Sequence, residues 1–366
     1  MPRWLWALIP VGPLAYILSF FHLSELLLFL LSAVGIIPLA ALIGKATEEL
    51  GFHLGPAAGG LLNATFGNVP ELLIATLAIR GGLLTLAQAS IIGSVISNAS
   101  LVVGISLFFG GVRYGLLRFS REDVGHHAVL MVLAVASLAL PTLFVVTAPR
   151  GNVEGLSIFV AILLVVTYVA YLMYGILGFR GGLRRTPDDT FLEEQGEVVE
   201  EIIRSEGGPV WSIRLSIVCL AAATVAVALV GDVLVASVRP VTHLVGISEF
   251  FVGVVIVPLV GNVAESLSAI QLAARNKIDL SFAVASGSSI QVAVFVAPIL
   301  VIVSLLWHPM TLVFNPIEIA VLALIVAIFF FVSQDGESNW LEGLQLTIIY
   351  VMAAAVFYFL PAHYPV

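Results

Sequence analysis

Eleven stretches of 18 to 27 predominantly apolar residues follow one another along this chain, separated by short clusters of charge, Gly and Pro. A helix crossing the hydrocarbon of a bilayer needs about 20 such residues, and only helices or closed barrels satisfy their own backbone polar groups there. The stretches cover 4–21, 24–44, 56–79, 85–110, 124–146, 154–178, 210–236, 248–274, 280–306, 316–333 and 340–361. They are continuously apolar rather than alternating, which excludes barrel strands. The expected fold is all-α and integral to the membrane, with eleven transmembrane helices. Only 10% of the 366 residues are charged, which leaves little material for a soluble domain. A net charge of −8 with no basic tract argues against nucleic acid as a partner, and a single cysteine argues against a disulfide scaffold. That cysteine, Cys219, lies in an apolar run and reads as a buried, inert thiol. Met1 to Phe21 lacks a small-residue cleavage site and leads at once into another apolar run, so it is read as a first span rather than a removed signal.

Retained loops collect Lys and Arg on the cytoplasmic side. With eleven spans, Arg3, Lys45, Arg113, Arg118, Arg121, Arg180, Arg184, Arg185, Arg204, Arg214, Arg275 and Lys277 fall on the N-terminal side, and only Arg80, Arg150 and Arg239 on the other. The N-terminus is thus expected in the cytoplasm and the C-terminus outside. The small soluble mass and short N-terminal segment point to a prokaryotic plasma membrane. The organisation expected is a first helix (1–23), a half holding spans two to six (24–179), a linker (180–209) and a half holding spans seven to eleven (210–366).

The linker holds eight of the 23 acidic residues: Asp188, Asp189, Glu193, Glu194, Glu197, Glu200, Glu201 and Glu206. Five of these Glu residues fall on one helical face and Leu192, Val199, Ile202 and Ile203 on another, which predicts a cytoplasmic amphipathic helix. It reads either as a solvated connector, or as a patch that gathers cations near an entrance or mediates assembly into a homo-oligomer.

A shift of 194 residues aligns two segments without a gap, GNVPELLIATLAIRGGLLTLAQASIIGSVISNA (67–99) and GNVAESLSAIQLAARNKIDLSFAVASGSSIQVA (261–293), with 12 identities in 33 positions. Gly67, Asn68, Val69 and Glu71 match Gly261, Asn262, Val263 and Glu265, and Gly93 and Ser94 match Gly287 and Ser288. The two copies lie five spans apart and so cross the membrane in opposite directions, which is an inverted-topology repeat. Such repeats place a substrate site near the midplane, on helices broken by Gly or Pro; Gly67, Pro70, Pro258 and Gly261 supply the breakers.

Glu71 stands nine residues from Arg80 and Glu265 ten from Arg275, roughly 14 Å inside the helix ends at 1.5 Å per residue. Ionisable side chains so deep in a span usually face a cavity and mark an ion or proton pathway. Asn68 precedes Glu71, and Asn262 precedes Glu265, by three residues, so each amide shares a helix face with its carboxylate. Ser97 and Asn98 in one half, and Ser289 and Gln291 in the other, add oxygen donors close to Ser94 and Ser288. They read either as pathway-lining groups or as interhelical hydrogen bonders. An all-oxygen set around two carboxylates suits calcium, which takes 6 to 8 oxygens.

Other polar positions are read as peripheral. Glu25, Glu249, Glu318 and Glu342 lie near span starts, and Glu48 and Glu49 near the cytoplasmic end of span two, and most of them are expected to reach water. Asp232, late in span seven, is either a mouth residue or a proton relay. His22, His53, His126, His127, His243, His308 and His363 fall near span ends or loops and are taken as interfacial or structural. The sequence GNVE at 151–154 is treated as a chance third copy of the motif.

The stretch GGLLNATFGNVPE ending at Glu71, SEFFVGVVIVPLVGNVAE ending at Glu265, and the later GSVISN and GSSIQ closely resemble the two repeat motifs of the calcium/proton antiporter family, within the calcium/cation antiporter superfamily. The resemblance covers nearly the whole chain. It implies eleven spans, a first span outside the repeats, and an acidic helix joining the halves. It also implies that Glu71 and Glu265 are carboxylates shared by calcium and protons, with Asn68, Asn262, Asn98 and Gln291 lining the pathway. Many members carry His directly after the second-repeat Glu, where this chain has Ser266.

The function expected is therefore secondary active transport, exchanging cytoplasmic Ca2+ for external protons by alternating access. Ca2+ and H+ are then transported partners and no resident cofactor is expected. Absence of GxxxxGK[ST], HExxH and GxSxG patterns argues against an enzyme. The alternatives are a sodium/calcium exchanger with similar repeats and, from another class, a passive cation channel.

Overall fold

The computed structural model describes residues 3–21, 23–148, 151–177, 191–205 and 207–360. His22, His363, Arg150, Arg180, Arg184, Arg185, Asp188, Asp189 and Glu206 lie outside the described residues. Among those described, ten helices are long and apolar enough to cross a membrane, and a bent pair makes an eleventh span. The first seven spans are Trp4–Phe21, Glu25–Leu54, Ala58–Arg80, Leu84–Tyr114, Arg121–Thr147, Val153–Ala170 and Ile213–Val245. The eighth is the pair Glu249–Gly261 and Val263–Ala273, followed by Ile278–Ser304, Pro316–Gln334 and Trp340–Phe359.

Two spans run longer than their sequence suggests. The second continues ten residues past the expected end at 44, because Lys45 and Glu49 neutralise each other at 3.0 Å, one turn apart and both buried. The seventh continues to Val245 rather than 236, carrying its charges on an exposed side where Arg80 meets Asp232 at 2.6 Å and Arg239 meets Glu249 at 3.3 Å.

The second and seventh spans pack along each other at the centre. The half-helix Val69–Arg80 lies on the seventh span, and Val263–Ala273 lies on the second. The eleventh span covers the end of the fourth, the sixth covers the end of the ninth, and the fifth and tenth pair. Each of these contacts has its mate when the two halves are exchanged, as an internal repeat requires. Fully buried Ile36, Ile43, Ile74, Ile79, Ile92 and Ile96 fill the interior, while Leu133, Leu140, Val166, Val218 and Phe331 face outward. A continuous apolar exterior of this kind is stable only against lipid.

The linker helix, Phe191–Ser205, lies across Pro56–Phe66 and touches the second, sixth and ninth spans. It buries Val198, Val199, Ile202 and Ile203, so the amphipathic pattern is used as a docking face. On its polar side Glu200 pairs with Arg204, and Glu201 approaches Lys277 at 3.6 Å. Leu117–Arg118 pairs antiparallel with Glu337–Ser338, a two-residue ladder within an otherwise helical molecule that ties the loop after span four to the loop after span ten. Cys219 is half-buried rather than buried, because its neighbours Ile217 and Val218 turn this side of the seventh span outward.

Candidate functional site

Both repeat motifs fall where a span breaks. In the third span Gly67 and Asn68 separate Pro56–Phe66 from Val69–Arg80. In the eighth, Asn262 separates Val257–Gly261 from Val263–Ala273, with a bend of 57°. Asn68 (φ −91°, ψ 14°) and Asn262 (φ −79°, ψ 20°) adopt the same bridge conformation, which interrupts the helical ladder. Each Asn immediately precedes a half-helix whose first turn carries the acid, Glu71 or Glu265. The positive end of a helix dipole favours a carboxylate at that position. The fourth and ninth spans open into π-helical turns at Ser97–Val102 and Val292–Val296, which nearly superimpose under the 194-residue shift. Such turns are frequent at functional sites.

These breaks bring the motifs together across the molecule. Asn68 Nδ2 donates to Gln291 Oε1 at 2.7 Å, Ser288 Oγ donates to Asn68 Oδ1 at 3.3 Å, and Asn98 Nδ2 donates to Ser288 Oγ at 3.0 Å. A β-carbon placed on Gly261 would stand 2.7 Å from Glu71 Oε1, and one on Gly67 would stand 3.3 Å from Glu265 Oε1. Each carboxylate therefore lies against the glycine of the opposite motif, a crossed arrangement that puts both acids at one place. Asn68, Glu71, Ser94, Ser97, Asn98, Asn262, Ser288, Ser289 and Gln291 are all buried, and Glu265 is half-buried. Ser289 does not join the group, since its hydroxyl bonds back to Ala285 O at 3.0 Å.

Seven buried polar atoms here have no hydrogen-bond partner: both oxygens of Glu71, Glu265 Oε2, both polar atoms of the Asn262 amide, Asn98 Oδ1 and Ser94 Oγ. Buried polar groups are nearly always paired in folded proteins, and each orphan costs about 1–3 kcal/mol. Among the described residues no three His, Cys, Asp or Glu side chains converge as a metal-holding group. The chemistry on offer is thus two carboxylates supplemented by amide and hydroxyl oxygens, which suits a hard cation rather than zinc or copper.

From Glu265 a cavity of about 20 Å³, room for a single water, extends toward the linker helix between Gly44, Glu48, Asn63, Gly67 and Ser268. Val198, Val199 and Ile202 close it. Glu48 belongs to this approach, with its Oε1 accepting from Ser268 Oγ at 3.1 Å. The sequence reading placed Glu48 in water at a span end; the added turns of the second span put it beside the site instead. Glu49, also expected to reach water, is fully buried and accepts from the backbone N–H groups of Val210 (3.0 Å) and Trp211 (3.2 Å), clamping the start of the seventh span. Glu318 is likewise buried, 3% exposed, because a capping box folds it onto Asn315 N at 2.7 Å.

Asp232 is a mouth residue, about half exposed and paired with Arg80. His53, His126, His243 and His308 are exposed, but His127 is buried inside the fifth span, with Nδ1 2.6 Å from Ser286 Oγ. Ser266 turns its hydroxyl onto Asn262 O at 2.7 Å, within its own helix. Asn152 of the chance motif at 151–154 caps the sixth span through Gly155 N at 2.9 Å.

A family profile described as sodium/calcium exchanger protein matches residues 24–177 and 215–359, one stretch on either side of the linker helix. The chain belongs to the sodium/calcium exchanger protein family. Within that exchanger family, the Ca2+/H+ antiporter of Aphanothece halophytica is 38% identical over 358 residues, covering 95% of this chain and 94% of its own. The Ca2+/H+ antiporter of Bacillus subtilis (strain 168) is 38% identical over 363 residues, covering 98% and 100%. Native YfkE has the same fold with a TM-score of 0.82 at 36% identity, over 97% of this chain and 100% of that one. The H+/Ca2+ exchanger CAX shares the fold at a TM-score of 0.70 and 16% identity, over 97% of this chain and 91% of that one. An exchanger family is one of membrane transporters, so the chain is not an enzyme.

Proposed function

We propose that this exchanger moves Ca2+ out of the cytoplasm in return for external protons, by alternating access around one site at Glu71 and Glu265. The observation that carries the reading is the set of seven unpartnered polar atoms gathered on Glu71, Glu265, Asn262, Asn98 and Ser94. A desolvated divalent cation would satisfy the six oxygens among them, though not the N–H donor of Asn262, and the two carboxylates would balance its charge. Protons would neutralise the same carboxylates. Bare carboxylates inside the bilayer are costly, so only the calcium-loaded and proton-loaded forms would cross between inward-facing and outward-facing states, and exchange follows. The likeness to the two bacterial Ca2+/H+ antiporters supports this choice of ions.

By the Lys and Arg bias, the linker face is cytoplasmic and Glu48 is the first carboxylate that an entering ion meets. Val69 and Val263, aliphatic residues directly after the two signature Asn residues, leave no extra hydroxyl where a sodium ion would want one.

Calcium uptake into reconstituted liposomes tests the reading under an imposed pH gradient, an imposed sodium gradient and neither, with Glu71→Gln and Glu265→Gln beside the wild type. Uptake driven by the pH gradient alone and lost in both variants is expected. Uptake driven by sodium would move the chain to sodium/calcium exchange, and flux needing no counter-ion would make it a channel. Undiminished uptake in both variants would remove the carboxylate pair from the mechanism.

A further inference from the structure

His127 is a buried ionisable group on the ninth span's flank that this mechanism leaves unused. It sits six residues inside the fifth span, 5% exposed, with its Nδ1 2.6 Å from Ser286 Oγ on the ninth span. The hydroxyl of Ser286 points to Phe282 O at 2.6 Å. A serine hydroxyl has one proton, so with that proton on Phe282 O the Ser286 oxygen accepts, and His127 Nδ1–H is the donor. Ser286 is two residues before Ser288, about 200° around an α-helix at 3.6 residues per turn. The ninth span therefore shows Ser286 to the fifth span and Ser288 to the ion site, where it holds both Asn68 and Asn98.

We propose that His127 is a positioning residue for the ion site: its bond to Ser286 fixes the rotation of the ninth span about its own axis, and so the reach of Ser288 and Gln291 toward Asn68 and Asn98. The donor is an imidazole Nδ1–H, and the amide of Asn can place an N–H at nearly the same point, whereas Phe keeps the volume and loses the donor.

The proposal rests on the assignment of the ion site given above, and the test separates the two. Ca2+ binding to purified protein and Ca2+ transport in liposomes are measured for wild type, His127→Asn, His127→Phe and Ser286→Ala, with monodisperse elution from a sizing column as the check of folding. Phe and Ala are expected to weaken Ca2+ binding and raise KM for Ca2+ by roughly threefold to tenfold, the span of one buried hydrogen bond. Asn is expected to restore both values, with an unchanged pH profile and little change in kcat in any variant. Unchanged binding in the Phe variant overturns the proposal. So does an Asn variant as impaired as Phe with a displaced pH profile, because the imidazole would then be carrying protons. A folding defect confined to the Phe variant leaves Ser286→Ala to decide. Loss of pH-driven transport in the wild type would strike the assignment of ions while leaving the binding comparison to judge His127.

Discussion

At the residue scale, the site depends as much on two hydrogen atoms as on two carboxylates. Gly261 and Gly67 are where the opposite acids come to rest, so a methyl group at either place competes with the carboxylate for space. Gly261→Ala brings a β-carbon to 2.7 Å of Glu71 Oε1, inside contact distance, whereas Gly67→Ala brings one to 3.3 Å of Glu265 Oε1 and to 2.7 Å of the backbone oxygen of Asn63, so that its first clash is with its own half-helix. Calcium transport should fall by at least about tenfold in Gly261→Ala, on the order of the 1.4 kcal/mol that displacing one charged ligand exceeds. Uptake assays on Gly261→Ala check this, and undiminished activity would mean that Glu71 does not sit against Gly261. Asn68 and Asn262 differ despite their matching positions. Asn68 is bonded to Gln291 and Ser288, whereas both polar atoms of Asn262 are unpartnered. Glutamine occupies the position that Ser97 holds in the other half, and only the longer side chain reaches across to an Asn.

At the scale of elements, the linker helix is held by a narrow apolar seam against Pro56–Phe66. Val199→Asp with Ile202→Asp would put two unpaired charges into that seam, each costing more than the roughly 1.4 kcal/mol that corresponds to a tenfold shift. Trypsin cleavage after Arg204 should then accelerate by at least about tenfold; an unchanged rate would show that the helix is held by something other than these side chains. The seam was legible in the sequence, as were the spans and the paired motifs, because apolar runs, helical spacing and repetition are local patterns. What the sequence hid was charge that cancels in space. Lys45 and Glu49 looked like the exit of the second span until the ion pair between them let the helix run on to Leu54, taking Glu48 to the edge of the site. Asp232 reads in the sequence as either a mouth residue or a relay, and its partner Arg80 lies 152 residues away. Glu318 reads as a group near water from its place at a span start, where a capping box buries it, and the partner of His127, Ser286, is a tertiary fact that no local pattern gives.

At the scale of the whole molecule, a site shared by two cargoes, as proposed above, would make them competitors. Acidifying the side from which Ca2+ loads should raise its apparent KM, because protons already hold the carboxylates, while the rate extrapolated to saturating Ca2+ stays the same. Initial rates at a series of pH values measure this, and a pH effect on the saturated rate alone would separate the proton path from the calcium site. The seven unpartnered atoms carry a further consequence. Without Ca2+ these groups have only protons to neutralise the two carboxylates, so cargo should act as a folding ligand: at a hundred times its dissociation constant Ca2+ should stabilise the folded chain by roughly 2.7 kcal/mol, and the melting temperature should climb with the logarithm of its concentration. A cell starved of calcium at high pH, with neither cargo to hold the carboxylates, would then keep its exchanger in its most perishable form.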